Sequence, residues 1–168
     1  TKDKTKIFAQ KWLSGTNPRA AIIIVHGLGE HSSRYAHIAK MFNDENIAVF
    51  SFDHRGHGLS GGSRGDIPSY DTACDDIDEL IKKVKTEFPA IPIFLYGHSL
   101  GGAIVLNYGL TKNSQINGII CTSPGLGTND PIPAIQLTLV KFLSRIAPKV
   151  TINNGLDVEN LSHDQEVI

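Results

Sequence analysis

Little in the sequence places it in a bilayer, in a disulfide framework or on nucleic acid. No run of apolar residues approaches the ~20 that a membrane span needs, and no apolar leader opens the chain, so a signal peptide is not expected. Only two cysteines occur, Cys74 and Cys121. One lies in a helical pattern and the other in an apolar strand, which leads us to expect two reduced core thiols in a reducing, cytoplasmic compartment. The net charge is -1 with 20% charged residues, so no basic surface favours a polyanion and no nucleic-acid partner is expected. Lys82, Lys83 and Lys85 share one segment with Asp75, Asp76, Asp78 and Glu79, a mixture that reads as a solvated helix face. No Gly-Lys-Ser/Thr phosphate loop is present. What remains is a chain of 168 residues, 40% hydrophobic, long enough for the core of one domain of ordinary size.

The strongest signal lies between Ile91 and Tyr108. Pro92 to Tyr96 is a short apolar run with the make-up of a buried parallel strand, and Gly102 to Tyr108 reads as a helix. Between them stand Gly97, His98, Ser99, Leu100 and Gly101, which is G-x-S-x-G in the strand–turn–helix context that gives the motif meaning. A turn this sharp forces Ser99 into a strained backbone and leaves no room for bulk two residues before and after it, which Gly97 and Gly101 satisfy. The hydroxyl then stands outward at the top of a sheet beside the free N–H groups of a helix start. Ser99 is thus the candidate nucleophile; the plainer alternative is a Gly-rich turn with an incidental serine.

Acyl transfer through a serine develops an oxyanion, which needs two preorganised donors. We assign one to the N–H of Leu100. The other is assigned to the N–H of Leu28, in the loop His26, Gly27, Leu28 and Gly29, where the glycines let the backbone approach a substrate; the alternative is a merely conformational loop. Gly56 to Gly61 spells G-x-G-x-x-G, but Gly62, Gly65 and Pro68 prolong the loop where a dinucleotide site would need a helix to open. His26, His31, His54, His57 and His98 lack the paired helical spacing of a zinc hydrolase, and loop hydrogen bonding is expected of them. Neither a cofactor nor a metal is expected.

In order along the chain, Ile7 to Leu13 reads as an outer strand and Ala20 to Val25 as a central one. Ser33 to Phe42 reads as a helix showing Tyr35, Ile38, Met41 and Phe42 on one face. Ile47 to Phe52 is a buried strand, Asp71 to Phe88 a helix carrying Ile77, Leu80, Ile81 and Val84 inward, and Ile116 to Thr122 a further strand. Strands alternating with helices imply an α/β fold with a mostly parallel sheet, and every Gly-rich loop named lies at a carboxyl end of a strand, where such sheets bind ligands. Pro131 to Ala147 is apolar nearly all round, which suits either a core helix or a lid that meets acyl chains or a membrane surface.

Three stretches, HGLGEHSSRY from His26 to Tyr35, FDHRGHGLSGG from Phe52 to Gly62 and FLYGHSLGGAIVLN from Phe94 to Asn107, resemble the α/β-hydrolase superfamily, and within it the monoglyceride lipases and lysophospholipases. The resemblance implies a three-layer sandwich whose core occupies residues 1–123, with six strands to Thr122, and a cap beginning in residues 124–168. It implies a serine hydrolase for esters of single-chain lipids, supported around the elbow by His26, Gly27, Gly29, Gly97, His98 and Gly101, with transient membrane contact through the cap. In this superfamily the acid and base of the triad follow the nucleophile, after later strands. Asp130, Asp157, Glu159, Asp164 and His163 follow no predicted strand, so the acid and base are expected beyond Ile168. The edge at Ile116 to Thr122 is then expected to meet the remaining part of the hydrolase, or to self-associate. Thioesterase, carboxylesterase or acyltransferase chemistry would use the same elbow, and a non-catalytic binding fragment is the reading from another class.

Overall fold

A computed structural model describes residues 1, 3–112 and 116–127. Five strands and three helices alternate: β1 (Ala9–Trp12), β2 (Ala20–Val25), α1 (Ala36–Asp44), β3 (Ile47–Phe52), α2 (Tyr70–Glu87), β4 (Ile93–His98), α3 (Leu100–Thr111) and β5 (Gly118–Thr122), with a short 3-10 turn at Ser32–Tyr35 before α1. They form one sheet in the order β1-β3-β2-β4-β5. β1 runs antiparallel to β3, and every other pairing is parallel.

β2 explains why the sheet is buried on both faces. Its six residues, Ala20 to Val25, are apolar without alternation and all buried, as a central parallel strand requires. Ile23 and Val25 point into a core shared with Phe50, Phe52 and Leu95 and closed by Ile77, Ile81 and Val84 of α2 and Ile104 and Val105 of α3. Ile22 and Ile24 point the other way, onto Tyr35 and Ala39. Helices therefore cover both faces, giving the three-layer α/β-hydrolase sandwich, and each fully buried Ile or Val contributes about 1.5–3 kcal/mol of transfer free energy.

The helices show where periodicity sufficed and where it did not. Ser69 caps α2, its Oγ accepting the Thr72 N–H at 3.1 Å. α3 is apolar because its first turns are enclosed: Gly101 to Val105 and Tyr108 are buried, while its last turn, with Leu110, is exposed. On α1 the buried position is Ala39, whereas Met41 is 68% exposed, contrary to the face read from spacing. The acidic run on α2 is a second correction. Asp76 is buried rather than solvated and accepts both Nε and Nη2 of Arg55, at 2.7 and 2.9 Å, a bidentate pair that neutralises both charges. Asp78 accepts the Tyr108 hydroxyl at 2.6 Å.

Boundaries moved by a few residues. β4 continues to His98, and α3 starts at Leu100 directly after Ser99, so the elbow is tighter than the sequence suggested. β5 begins at Gly118, because Asn117 spends its own groups bridging to Ile93: its N–H donates to the Ile93 carbonyl and its Oδ1 accepts the Ile93 N–H. Up to Thr122 the described residues form five strands, not the six that the resemblance implied. The Pro131 to Ala147 segment, its lid reading, and His163 with the late acids lie outside the described residues. No described helix is long and apolar enough to cross a membrane.

Candidate active site

The junction of β4 and α3 holds Ser99 at φ 51, ψ −117, a region that residues with a Cβ rarely enter and that costs on the order of 1–3 kcal/mol. Its neighbours hold it there. The Ser99 N–H donates to the Thr122 carbonyl at 3.0 Å, and its own carbonyl accepts the N–H of Ala103 at 3.1 Å and of Gly125 at 3.2 Å. The two elbow glycines are required by contact. A Cβ at Gly97 would lie 2.4 Å from the Gly101 carbonyl oxygen, and one at Gly101 would lie 2.0 Å from the Val25 oxygen. Bulk at either position would push α3 off the ends of β2 and β4.

The loop after β2 comes against this elbow. A Cβ at Gly27 would sit 3.3 Å from the Ser99 Cβ and 3.4 Å from the His98 oxygen. Gly29, at φ 72, lets the loop turn back. Leu28 and Leu100 then line the same cleft of about 240 Å³, whose other walls are Gly65, Ile67, Ser69, Tyr70 and Ile104. Within the described residues neither the Leu28 nor the Leu100 N–H has a hydrogen-bond partner, and neither does the Ser99 hydroxyl. One free donor at the start of α3 and one in the loop after β2, beside the half-buried Ser99 and an apolar cleft, can stabilise negative charge developing on a carbonyl oxygen.

Beneath the loop, three imidazoles pack together. His26 and His54 have ring centroids 4.2 Å apart, and His57 lies 5.6 Å from His26. His26 Nδ1–H donates to the Gly27 carbonyl at 2.7 Å while its Nε2 accepts the His54 N–H at 2.9 Å. One nitrogen donating and the other accepting fixes a neutral ring, and burial pushes the His26 pKa down to about 4. His57 Nδ1 bonds to the Arg55 carbonyl at 2.9 Å, and His98 Nδ1 to Thr122 Oγ1 at 2.9 Å. Loop hydrogen bonding is thus what His26, His54 and His57 do, whereas His98 of β4 bonds to Thr122 of the neighbouring β5. Among the described residues no cluster of His, Cys, Asp and Glu is arranged to hold a metal.

Asp53 ties the second Gly-rich loop to the first. Its Oδ1 accepts the Ser32 N–H at 2.7 Å and the Ser32 hydroxyl at 2.6 Å, and its Oδ2 accepts the Leu59 N–H at 2.8 Å. Burial would raise this carboxyl, but the Ser32 and Leu59 donors hold it below its ordinary value. Gly58 must be glycine here, because at φ 47 its Cβ would fall 2.0 Å from Asp53 Oδ2. Gly56, at φ 68, and Gly58 shape a loop, and the next helix opens only at Tyr70, too late for a pyrophosphate site at the third glycine.

Strand order, elbow and loops agree with one sequence family. The serine aminopeptidase S33 pattern matches residues 16–168. The chain belongs to this family of α/β-hydrolases. It is similar to the monoacylglycerol lipase of Mycolicibacterium smegmatis, with 31% identity over 97% of the chain and 58% of that protein. Among solved structures it is similar to a monoacylglycerol lipase of Paleococcus ferrophilus, with 36% identity and a TM-score of 0.82 over 96% of the chain and 60% of that one. It is also similar to a soluble variant of monoglyceride lipase from Saccharomyces cerevisiae in complex with a substrate analogue, with 26% identity and a TM-score of 0.79 over 98% of the chain and 56% of that one. The chain thus spans little more than half the length of these relatives.

In this chain Gly27 lies against Ser99 and Gly97 against Gly101, Leu28 and Leu100 line one cleft, Gly29 turns the loop at positive φ, and His26 bonds the Gly27 carbonyl. His98 faces another way, toward Thr122 and a second cleft with Tyr96, Glu30 and Arg34. Sequence reasoning overlooked Glu30, Asp53, Ile67 and Tyr70. Asp53 could have been suspected as an acid directly after a buried strand. Ile67 and Tyr70 carry no local signal, since a loop isoleucine and a helix-start tyrosine become a cleft wall only when α2 docks on the sheet.

Proposed function

We propose that the protein containing this chain hydrolyses carboxylic esters of single-chain lipids, monoacylglycerols or lysophospholipids, through an acyl-enzyme on Ser99. One observation carries the reading: Ser99 is held at positive φ, and Leu28 and Leu100, whose N–H groups have no hydrogen-bond partner among the described residues, line one apolar cleft. In the reaction the Ser99 oxygen attacks the ester carbonyl and its proton passes to a base. The carbonyl oxygen takes up negative charge opposite the Leu28 and Leu100 donors, the alcohol leaves with the proton, and water releases the acid by the same route. We assign the base and its orienting acid to the part of the protein beyond Ile168. No cofactor enters this chemistry.

The monoacylglycerol lipase names of the relatives support the lipid substrate, and the apolar walls of the cleft suit an acyl chain. We further propose that residues 1–123 are the hydrolase core and 124–168 the start of a cap that touches membranes transiently. β5 pairs only with β4 among the described residues, and Ile120 on it is 40% exposed. The next strand of the full-length protein is the proposed cover for this edge, with self-association as the alternative. The free thiols of Cys74 and Cys121 suit a cytoplasmic location.

The test is Ser99→Ala in the full-length protein. Turnover of monoacylglycerol and of short-chain esters is expected to vanish while the melting temperature stays within a few degrees, because a serine at a strained turn contributes little packing. Retained turnover would refute the assignment.

A further inference from the structure

We propose that Glu30 is a positioning residue for the oxyanion loop, gripping Gly27 so that the next N–H, that of Leu28, faces the reacting carbonyl. The inference rests on the reading of Leu28 as an oxyanion donor.

Gly27 is held at both of its polar atoms. Its carbonyl accepts His26 Nδ1–H at 2.7 Å, and its N–H donates to Glu30 Oε2 at 2.9 Å. In a trans peptide the N–H points opposite to the carbonyl, so fixing the Gly27 carbonyl fixes the direction of the Leu28 N–H. The imidazole alone leaves the preceding peptide free to rotate about Gly27, a residue with no Cβ to restrain it; the Glu30 carboxylate removes that freedom.

Glu30 is itself anchored. The same Oε2 accepts the Tyr35 hydroxyl at 2.8 Å, and Arg34 lies 3.9 Å from Oε1. Tyr35 is 6% exposed, packs with Ile22 and Ile24 of β2, and meets the Tyr96 ring edge-on at 6.4 Å. The line from sheet to Tyr35, Glu30 and Gly27 therefore carries the rigidity of the core to the oxyanion loop. Burial would raise the Glu30 carboxyl, but the Tyr35 hydroxyl and Gly27 N–H, with Arg34 adding, hold it below its ordinary value and keep it an acceptor. Space confirms the grip: a Cβ at Gly27 would lie 3.1 Å from Glu30 Oε2 on one side and 3.3 Å from Ser99 Cβ on the other.

The experiment uses the full-length protein and an alkyl trifluoromethyl ketone, whose carbonyl adds the serine oxygen and becomes a tetrahedral oxyanion, so its Ki reads the oxyanion hole directly. Loss of a whole oxyanion donor lowers kcat about 100- to 1000-fold, and misdirecting one costs part of that. Glu30→Ala is therefore expected to lower kcat on a monoacylglycerol at least about tenfold, leave KM within about twofold and raise the ketone Ki by the same factor as kcat falls. Glu30→Gln keeps an acceptor oxygen and is expected to recover both to within about threefold. Should Glu30→Ala fold poorly, Tyr35→Phe, which releases the anchor alone, is expected to raise Ki about threefold with an unchanged Ser99 adduct. An unchanged Ki in Glu30→Ala or Tyr35→Phe, or a Glu30→Gln as impaired as the alanine variant, overturns the proposal. Turnover by Ser99→Ala in the same assay would instead overturn the nucleophile, a separate failure.

Discussion

His54 and His26 bond to each other twice: the His54 N–H donates to His26 Nε2 at 2.9 Å, and His54 Nε2–H donates to the His26 carbonyl at 2.9 Å. Protonating His26 removes the lone pair that the His54 N–H needs. Burial pushes the His54 pKa down to about 3 and that of His26 to about 4. Both rings are therefore neutral in the folded protein at pH 5, while in the unfolded chain they titrate near 6.5 and bind protons.

The unfolded state thus takes up more protons, and stability falls as pH drops below about 6.5, continuing to about 4 for His26 and about 3 for His54. Between pH 7 and pH 5 each ring is expected to cost on the order of 2 kcal/mol. Urea unfolding of the full-length protein at the two pH values measures this. Equal midpoints, with equal slopes, would show that the rings are not held neutral.

Close packing at the elbow leads to a second expectation. Gly101→Ala places a methyl 2.0 Å from the Val25 oxygen and 2.6 Å from the His26 oxygen, both backbone atoms of the central strand's end, whereas a Cβ at Gly15 meets nothing within 4 Å. Gly101→Ala is expected to destabilise by about 3 kcal/mol or more, and Gly15→Ala to change stability by less than about 0.5 kcal/mol. Thermal melts of the two variants check it; similar melting temperatures would mean that α3 can shift without cost.

Those glycines also show what could be read from sequence. Gly97 and Gly101 answer a demand made within five residues, and Ala20 to Val25 declares itself by composition alone, so elbow and central strand were legible. Asp76 was misread because its partner, Arg55, stands in a loop 21 residues earlier, and an acidic run on a helix looks solvated until a buried guanidinium is placed beside it. Met41 was misread because three apolar residues at helical spacing say nothing about where the core ends. Glu30 was quoted within a motif, yet its partners Gly27 and Tyr35 belong to a turn whose path no spacing rule supplies.

The cleft walls supply a specificity test. Ile67 and Tyr70 face Leu28, Leu100 and Ile104 across about 240 Å³, so a larger side chain at 67 shortens the space next to the proposed oxyanion donors. Ile67→Trp is expected to lower kcat/KM for long-chain monoacylglycerols about tenfold or more and for acetate or butyrate esters less than about threefold. Equal losses on both would place the acyl chain elsewhere.

The central claim is that Ser99 is the nucleophile. Incubation of the full-length protein with a serine-directed fluorophosphonate, followed by peptide mass mapping, tests it most directly. We expect one label per chain, carried by the peptide containing Ser99 and absent in Ser99→Ala; a label on another residue, or undiminished labelling of the alanine variant, would contradict it.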